Sequence, residues 1–365
     1  MLTIAPPEGL PQLGPSTSVV LTGIGASEAV TRALEPWFRH ELRIRVTQVP
    51  LSAFISEDVR LLGQTLVLLS QELSPNATLA LARAREFQRA LLITSLPPTD
   101  PRLQDFRAAG GLIWTLPPAE ERDLLVRVQG PMAAAFALAR LGLEGVGREL
   151  PPVLHELPEL VRAAQARGFA LAEKWPLELL RAPLIATGWY AHCLELIAWT
   201  WMEAWWTEPP PAFDVLQLAH GPWQQRFAES GPWLCFTRPD DPAGLWSRLE
   251  QMLPARQSMI RVSASLPGPM ALFEHLGFVQ ALLAGVLLRA PKDLTQWPGK
   301  HTDGPLYEIG TPAPHAGNGN GNGEERLRLK APEPRQSSAN QAPSPPTAEQ
   351  EQPPVTESGR DPASG

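Results

Sequence analysis

Three stretches of the chain combine residue types and spacings that could do chemistry. In the first, Thr22-Gly23-Ile24-Gly25-Ala26-Ser27-Glu28, glycines follow an apolar run and open a helical one. Glycine lets backbone approach a ligand closely, and the free amides at a helix start favour an anion. Gly25, Ala26 and Ser27 are therefore candidate phosphate contacts. The second, Leu69-Ser70-Gln71-Glu72-Leu73-Ser74-Pro75-Asn76, also follows an apolar run, with Ser74 read as an N-cap and Pro75 as the first helical position. Two such turns, from adjacent strands, would face the same crevice. The third combines Ala186-Thr187-Gly188-Trp189-Tyr190, Glu195, Trp201-Met202-Glu203 and Ala219-His220-Gly221-Pro222. Shifting a carbonyl between neighbouring carbons needs a base poised near neutral pH, and a glutamate in a Trp-rich, low-dielectric setting is pushed toward that range. A histidine exchanges protons there without tuning, so Glu203 and His220 read as an acid/base pair. The plainer alternatives are a tight turn at Gly23 to Gly25, serines that merely close a loop, a core-facing helix carboxylate at Glu203 and a hydrogen-bonded loop histidine at 220.

Positioning these residues calls for a repeated strand-helix pattern. Apolar runs at 19–21, 42–46, 65–69, 90–94 and 111–116 alternate with helical spacing at 28–40 and 77–89. Short buried strands alternating with helices imply a parallel sheet covered on both faces, with ligands in the crevice outside the strands' carboxyl ends. A further helix at 130–147 precedes Pro151-Pro152, and a second helical stretch runs over 154–174. The pattern then begins again, with strand candidates at 184–187, 215–218, 233–237 and 259–262. The chain reads as an α/β protein with a first lobe at 1–150, a second at 151–311 and a disordered tail at 312–365, where GNGNGNGEER gives way to Pro, Gln, Ser and Glu.

Composition narrows the function classes. The 365 residues are 44% hydrophobic and 19% charged, enough for two packed cores. A net charge of -7 offers no basic footprint for nucleic acid. Cys193 and Cys235 sit in apolar surroundings without paired spacing, and no His, Cys or Asp cluster has metal-ligand spacing, so neither metal nor other cofactor is expected. Prolines occupy the N-terminus where a signal peptide needs an apolar run, and no uncharged stretch reaches the length of a membrane span. A cytoplasmic protein with no membrane partner is the expectation.

The first two motifs together resemble those of the sugar isomerase (SIS) domain family, whose turns read Gly-x-Gly-x-Ser and Ser-x-Ser-Gly-x-Thr. The resemblance implies flavodoxin-like lobes, each a parallel sheet flanked by helices and here arranged in tandem, with Ser27, Ser70, Gln71 and Ser74 holding a sugar phosphate. The chain departs from the pattern at Glu72, where serine is usual, and at Leu73-Ser74-Pro75 in place of Gly-x-Thr. The third constellation is similar to the isomerase domain of glucosamine-fructose-6-phosphate aminotransferases. It implies Glu203 as the residue moving a proton between sugar carbons and His220 as the ring-opening histidine, reaching into a neighbour's site in a homodimer. Thr200 replaces the lysine expected on the glutamate's helix, and the interval to His220 is one residue longer. A proline-containing strap follows 289, where Lys292 and Lys300 stand out in a chain with four lysines, and Lys300 completes the candidate catalytic set. The tryptophans at 199, 201, 205 and 206 could stack on a sugar, but read better as a subunit interface. No cysteine near the N-terminus could hydrolyse glutamine. The expected function is an aldose–ketose isomerase or amino-sugar-phosphate isomerase or deaminase; the alternative is a non-catalytic phosphosugar sensor.

Overall fold

The computed structural model describes residues 4–59, 63–118, 121, 123–177 and 182–309. The tail expected at 312–365 lies outside the described residues. The first apolar runs form β1 (Ser18–Gly23), β2 (Arg45–Gln48), β3 (Thr65–Leu69), β4 (Arg89–Thr94) and β5 (Leu112–Thr115). Between them lie α1 (Ala26–His40), α2 (Ala53–Ser56), α3 (Ala77–Ala82) and α4 (Gln104–Ala108). The strands pair in the order β2-β1-β3-β4-β5, all parallel.

Two long helices, α5 (Gln129–Gly145) and α6 (Leu157–Ala172), lead to the second sheet. There β6 (Leu184–Ala186), β7 (Ala212–Asp214), β8 (Gly231–Thr237) and β9 (Gln257–Ser263) pair in the order β7-β6-β8-β9, again all parallel. Helices α7 (Leu194–Trp205), α8 (Pro222–Arg226) and α9 (Leu245–Met252) connect them, and α10 (Ala271–Arg289) and α11 (Gly304–Tyr307) follow. The four strands of the second sheet among the described residues thus repeat the order of the first four strands of the first sheet.

Alternating side chains divide the core into three. Val19, Leu21, Val67, Leu69, Leu91 and Ile93 on one face of the first sheet join Leu184, Ala186, Leu234, Phe236 and Val262 of the second in a single cluster, filled by α1, α5, α6, α7 and α10. Val20, Leu66, Leu68 and Leu92 pack outward against α2 and α3, while Ile185, Trp233 and Cys235 pack outward against Trp246 and Leu249 of α9. Period-two alternation with both faces covered is what a buried parallel sheet requires. By length and composition the segment Gly268–Arg289, which includes α10, could cross a membrane, with a mean hydropathy of 1.7, so span-length apolar sequence does occur here. Its apolar window is 83% buried inside the fold, against α6 and α7.

Three local readings shift. The strand expected at 215–218 lies earlier, at Ala212–Asp214, because the Asp214 carboxylate accepts from the amides of Gly188 (2.7 Å) and Leu216 (2.9 Å) and turns the chain out of the sheet. In 42–46, buried Leu42 and Ile44 flank Arg43 at φ 58°, and pairing starts at Arg45. The helix expected over 77–89 ends at Ala82 and gives way to a 3-10 turn at Ala84–Glu86 before β4.

Candidate functional site

At the carboxyl end of β1 the chain must turn tightly into α1. A Cβ on Gly23 would lie 2.9 Å from the backbone carbon of Ser27 and 3.1 Å from the Leu69 carbonyl oxygen, so no larger residue fits between the two strand ends. Gly25, at φ 59° and ψ -133°, aims the chain into the helix, which begins at Ala26 without a side-chain cap. Ser27 sits half-buried in the first turn, where its amide donates to the Ile24 carbonyl at 3.2 Å.

The second turn is built around Ser70. Buried to 4% exposure, it donates its amide to the Ile93 carbonyl (3.0 Å) and accepts from the Ser74 amide with its hydroxyl (3.2 Å). Its hydroxyl therefore closes the loop. Leu73, at the place glycine holds in the SIS pattern, adopts φ 54°, a left-handed conformation costly for a branched side chain. The turn keeps the glycine shape and offsets the strain by burying Leu73. Ser74 is not the N-cap: α3 begins at Ala77, the Ser74 carbonyl accepts from the Ala77 amide at 2.9 Å, and the Ser74 Oγ has no hydrogen-bond partner among the described residues. Pro75 displaces the helix start, since its carbonyl is already turned to the Thr78 amide and hydroxyl.

Gln71 accepts with its carbonyl from the Ser95 amide (2.7 Å) and Thr94 hydroxyl (3.0 Å). Its carboxamide lies across the start of α5, where a Cβ on Gly130 would stand 2.0 Å from its Oε1, and Nε2 is buried without a partner among the described residues. Glu72 reaches the loop before α5 and pairs with Arg127 at 3.2 Å, while its carbonyl accepts from Arg102 at 3.2 Å. In that loop the nearly buried Glu121 carboxylate accepts from the amides of Val128, Gln129 and Gly130 at 2.8, 2.7 and 3.1 Å. An internal anion thus occupies the positive end of α5.

Helix α7 carries the second lobe's contribution to the same place. Glu195, Trp199 and Glu203, spaced by four, share a face turned toward α1 and the first-lobe turns. Glu195 approaches Arg32 of α1 at 3.7 Å, and Trp199 lies 3.9 Å from where a Gly25 Cβ would be. Glu203 meets Arg127: burial pushes its carboxyl up to about 7, against the lowering effect of the Arg127 guanidinium and backbone N–H. The structure therefore joins Glu203 to the Ser70–Glu72 turn through Arg127.

At the equivalent edge of the second sheet lies a buried ion pair. Arg238 and Asp241, with side chains 6% and 4% exposed, pair at 3.0 Å and are braced by Thr187 and by Trp246 Nε1, which donates to Asp241 at 2.8 Å. The Arg238 guanidinium stacks over Tyr190 at 4.7 Å, and Tyr190 is hydrogen-bonded to His275, which burial drives down to about 3. This lobe fills its own strand ends.

His220 is exposed beyond β7, after a 3-10 turn at Gln217–Ala219. Lys300 donates to the Thr295 carbonyl at 2.6 Å and stacks over Trp297 at 4.7 Å, contacts within its own strap. Lys292 instead ties that strap to α7, donating to the Trp205 carbonyl and stacking over Trp206 at 4.9 Å. Farther along, the Leu306 carbonyl accepts from Asn76 Nδ2 at 2.8 Å, so the strap runs back to the second turn. Trp201 and Trp205 are core residues at 1% and 3% exposure, and the Thr200 hydroxyl bonds back to the Leu196 carbonyl at 2.9 Å. Among the described residues no group of three His, Cys, Asp or Glu could hold a metal. Arg127 and Glu121 were not singled out by sequence, and Arg127 lies in an irregular loop with no periodic signal; Trp199 reads there as part of a subunit interface, although its i, i+4 spacing from Glu203 puts the two on one helix face.

No family profile matches the chain, and no curated protein matches it by sequence. Solved structures do match. Tagatose-6-phosphate ketose/aldose isomerase from Escherichia coli superposes with a TM-score of 0.61 at 12% identity, over 77% of this chain and 84% of that one. Glucosamine-6-phosphate deaminase from Thermotoga maritima gives 0.59 at 16%, over 78% and 89%. The C-terminal domain of glucosamine-fructose-6-phosphate aminotransferase from Francisella tularensis gives 0.57 at 13%, over 76% and 86%. The chain therefore has the α/β fold of SIS-type phosphosugar proteins.

Proposed function

We propose that the chain binds a phosphorylated sugar at the carboxyl edge of the first sheet and moves a proton between its carbons with Glu203, as an aldose–ketose isomerase or an amino-sugar-phosphate isomerase or deaminase. The observation that carries this reading is the position and poise of Glu203, a carboxyl held near 7 beside the Ser70–Glu72 turn. In an isomerisation the carboxylate takes the proton from the carbon next to the carbonyl. It then returns that proton to the former carbonyl carbon while the hydroxyl proton passes to the carbonyl oxygen. Trp199, on the same helix face, supplies an apolar wall for the sugar. His220 would enter from a second copy of the chain to open the ring.

Incubation of the purified chain with hexose and hexosamine 6-phosphates, with ketose–aldose conversion and ammonia release as readouts, tests the reading. Turnover by the wild type that falls about 10²- to 10⁴-fold in Glu203→Gln, with binding retained, is the expected result. The second reading is a phosphosugar sensor. It is favoured by Thr200 in place of a lysine and by the Glu72–Arg127 pair standing in the turn. Ligand-dependent thermal stabilisation without turnover, unchanged in Glu203→Gln, would select it.

A further inference from the structure

We propose that Arg127 is the receptor for the ligand's phosphate and that Glu72 is the internal anion which that phosphate displaces. The inference rests on the phosphosugar reading and names the group that makes it work in a turn lacking the usual serine and threonine. The amides that open α5, an anion-binding device at this edge, are already taken by Glu121. Beside them Arg127 supplies a guanidinium, whose planar fork matches two phosphate oxygens at once.

The Glu72–Arg127 pair is built to exchange. At 3.2 Å, with side chains 26% and 25% exposed, it lies at the solvent edge of the crevice, where such a pair holds weakly. A phosphate dianion brings more charge and more acceptor oxygens than the carboxylate it replaces. Glu72 does not become an isolated charge when it leaves, because its carbonyl is already bound by Arg102, whose guanidinium feels the Glu72 charge. On the same turn Gln71 Nε2 and Ser74 Oγ are buried with no partner among the described residues, two polar groups that the carboxylate does not satisfy and phosphate oxygens could.

Calorimetric titration of the full chain with glucosamine 6-phosphate, glucosamine and inorganic phosphate tests this, using wild type, Glu72→Gln and Arg127→Met. The expected result is glucosamine 6-phosphate bound about two- to fivefold more tightly by Glu72→Gln, which no longer holds the arginine, and at least tenfold more weakly by Arg127→Met. Inorganic phosphate should follow the same order. Binding by Glu72→Gln where the wild type shows none would support the displacement equally. If both variants bind glucosamine 6-phosphate as the wild type does, Arg127 is not the receptor, although the phosphosugar reading stands. If neither wild type nor Glu72→Gln binds it, both fall together. Because Glu72→Gln keeps side-chain shape, its result does not depend on how well Arg127→Met folds.

Discussion

Glu203 acquires its chemistry from the place where α7 comes to rest. A glutamate of ordinary value 4.5 is pushed up to about 7 by burial, and Arg127 opposes only part of that shift. The neutral form is the better-tolerated one in the folded chain. Its contribution to stability is therefore complete below about 4.5 and is lost as the pH rises through about 7. Catalysis by the carboxylate runs the other way and needs the ionised form. The rate of the wild type should rise with an apparent pKa near 7, while its melting temperature, relative to that of Glu203→Gln, declines between 4.5 and 7. A pH-rate profile and a pH series of thermal melts on the two proteins read both slopes. A rising limb at the usual carboxylate value would remove Glu203 from the role of base.

At the scale of elements, the two sheets end differently although their strand orders agree. The first closes its strand ends with tight turns that leave Gln71 Nε2 and Ser74 Oγ without hydrogen-bond partners among the described residues; the second places a buried ion pair there, of which Arg238 Nη1 likewise lacks a hydrogen bond among the described residues. The turn at Gly23 tolerates no Cβ because backbone, which cannot move aside, stands 2.9 Å away. Gly23→Ala is expected to destabilise the chain by about 1–3 kcal/mol in chemical denaturation. Gly130→Ala meets the end of a flexible carboxamide instead, so it should expel Gln71 from the crevice and weaken ligand binding at little cost in stability. In the second lobe, Arg238→Met leaves the buried Asp241 charge without its ionic partner and should cost about 3–5 kcal/mol, while Asp241→Asn, which leaves Arg238 paired with Asp240, should cost less, and the double variant less than the sum. Denaturant midpoints of the three variants test the plug. Additive losses would mean that the two side chains act separately.

For the whole molecule, the one cluster that spans both lobes is what brings Glu203 to the first-lobe turns. His220 lies exposed on the other lobe's edge strand region, away from that cluster. A shared site in a homodimer would reconcile the two positions. Refolding a mixture of Glu203→Gln and His220→Ala chains should then restore about a quarter of the wild-type sites, since only mixed dimers hold one intact site of their two. Light scattering gives the assembly and the rate of the mixture gives the sites. No recovery of activity would rule out a site shared between Glu203 of one chain and His220 of another, whereas full activity of His220→Ala by itself would place His220 outside the catalytic set.

Much of this architecture was written locally. Alternation of short apolar runs with helical spacing specified nine parallel strands in two sheets and located most of them within a few residues, because a strand buried on both faces leaves a continuous apolar run. The glycine turn at Gly23 to Gly25 was legible for a similar reason, since crowding by its own following helix is a local effect. Strand β7 was displaced where its own last residue, Asp214, took over the amides of Gly188 and Leu216, and the start of α3 moved where the Pro75 carbonyl turned to Thr78. The tertiary structure alone decided that Glu203, from the second lobe, meets a first-lobe turn through Arg127, that Lys300 stays within its strap, and that the second crevice is filled. The first depends on contacts between residues tens of positions apart, such as the 55 separating Glu72 from Arg127. Charge and burial at such contacts follow from packing, which no local spacing records.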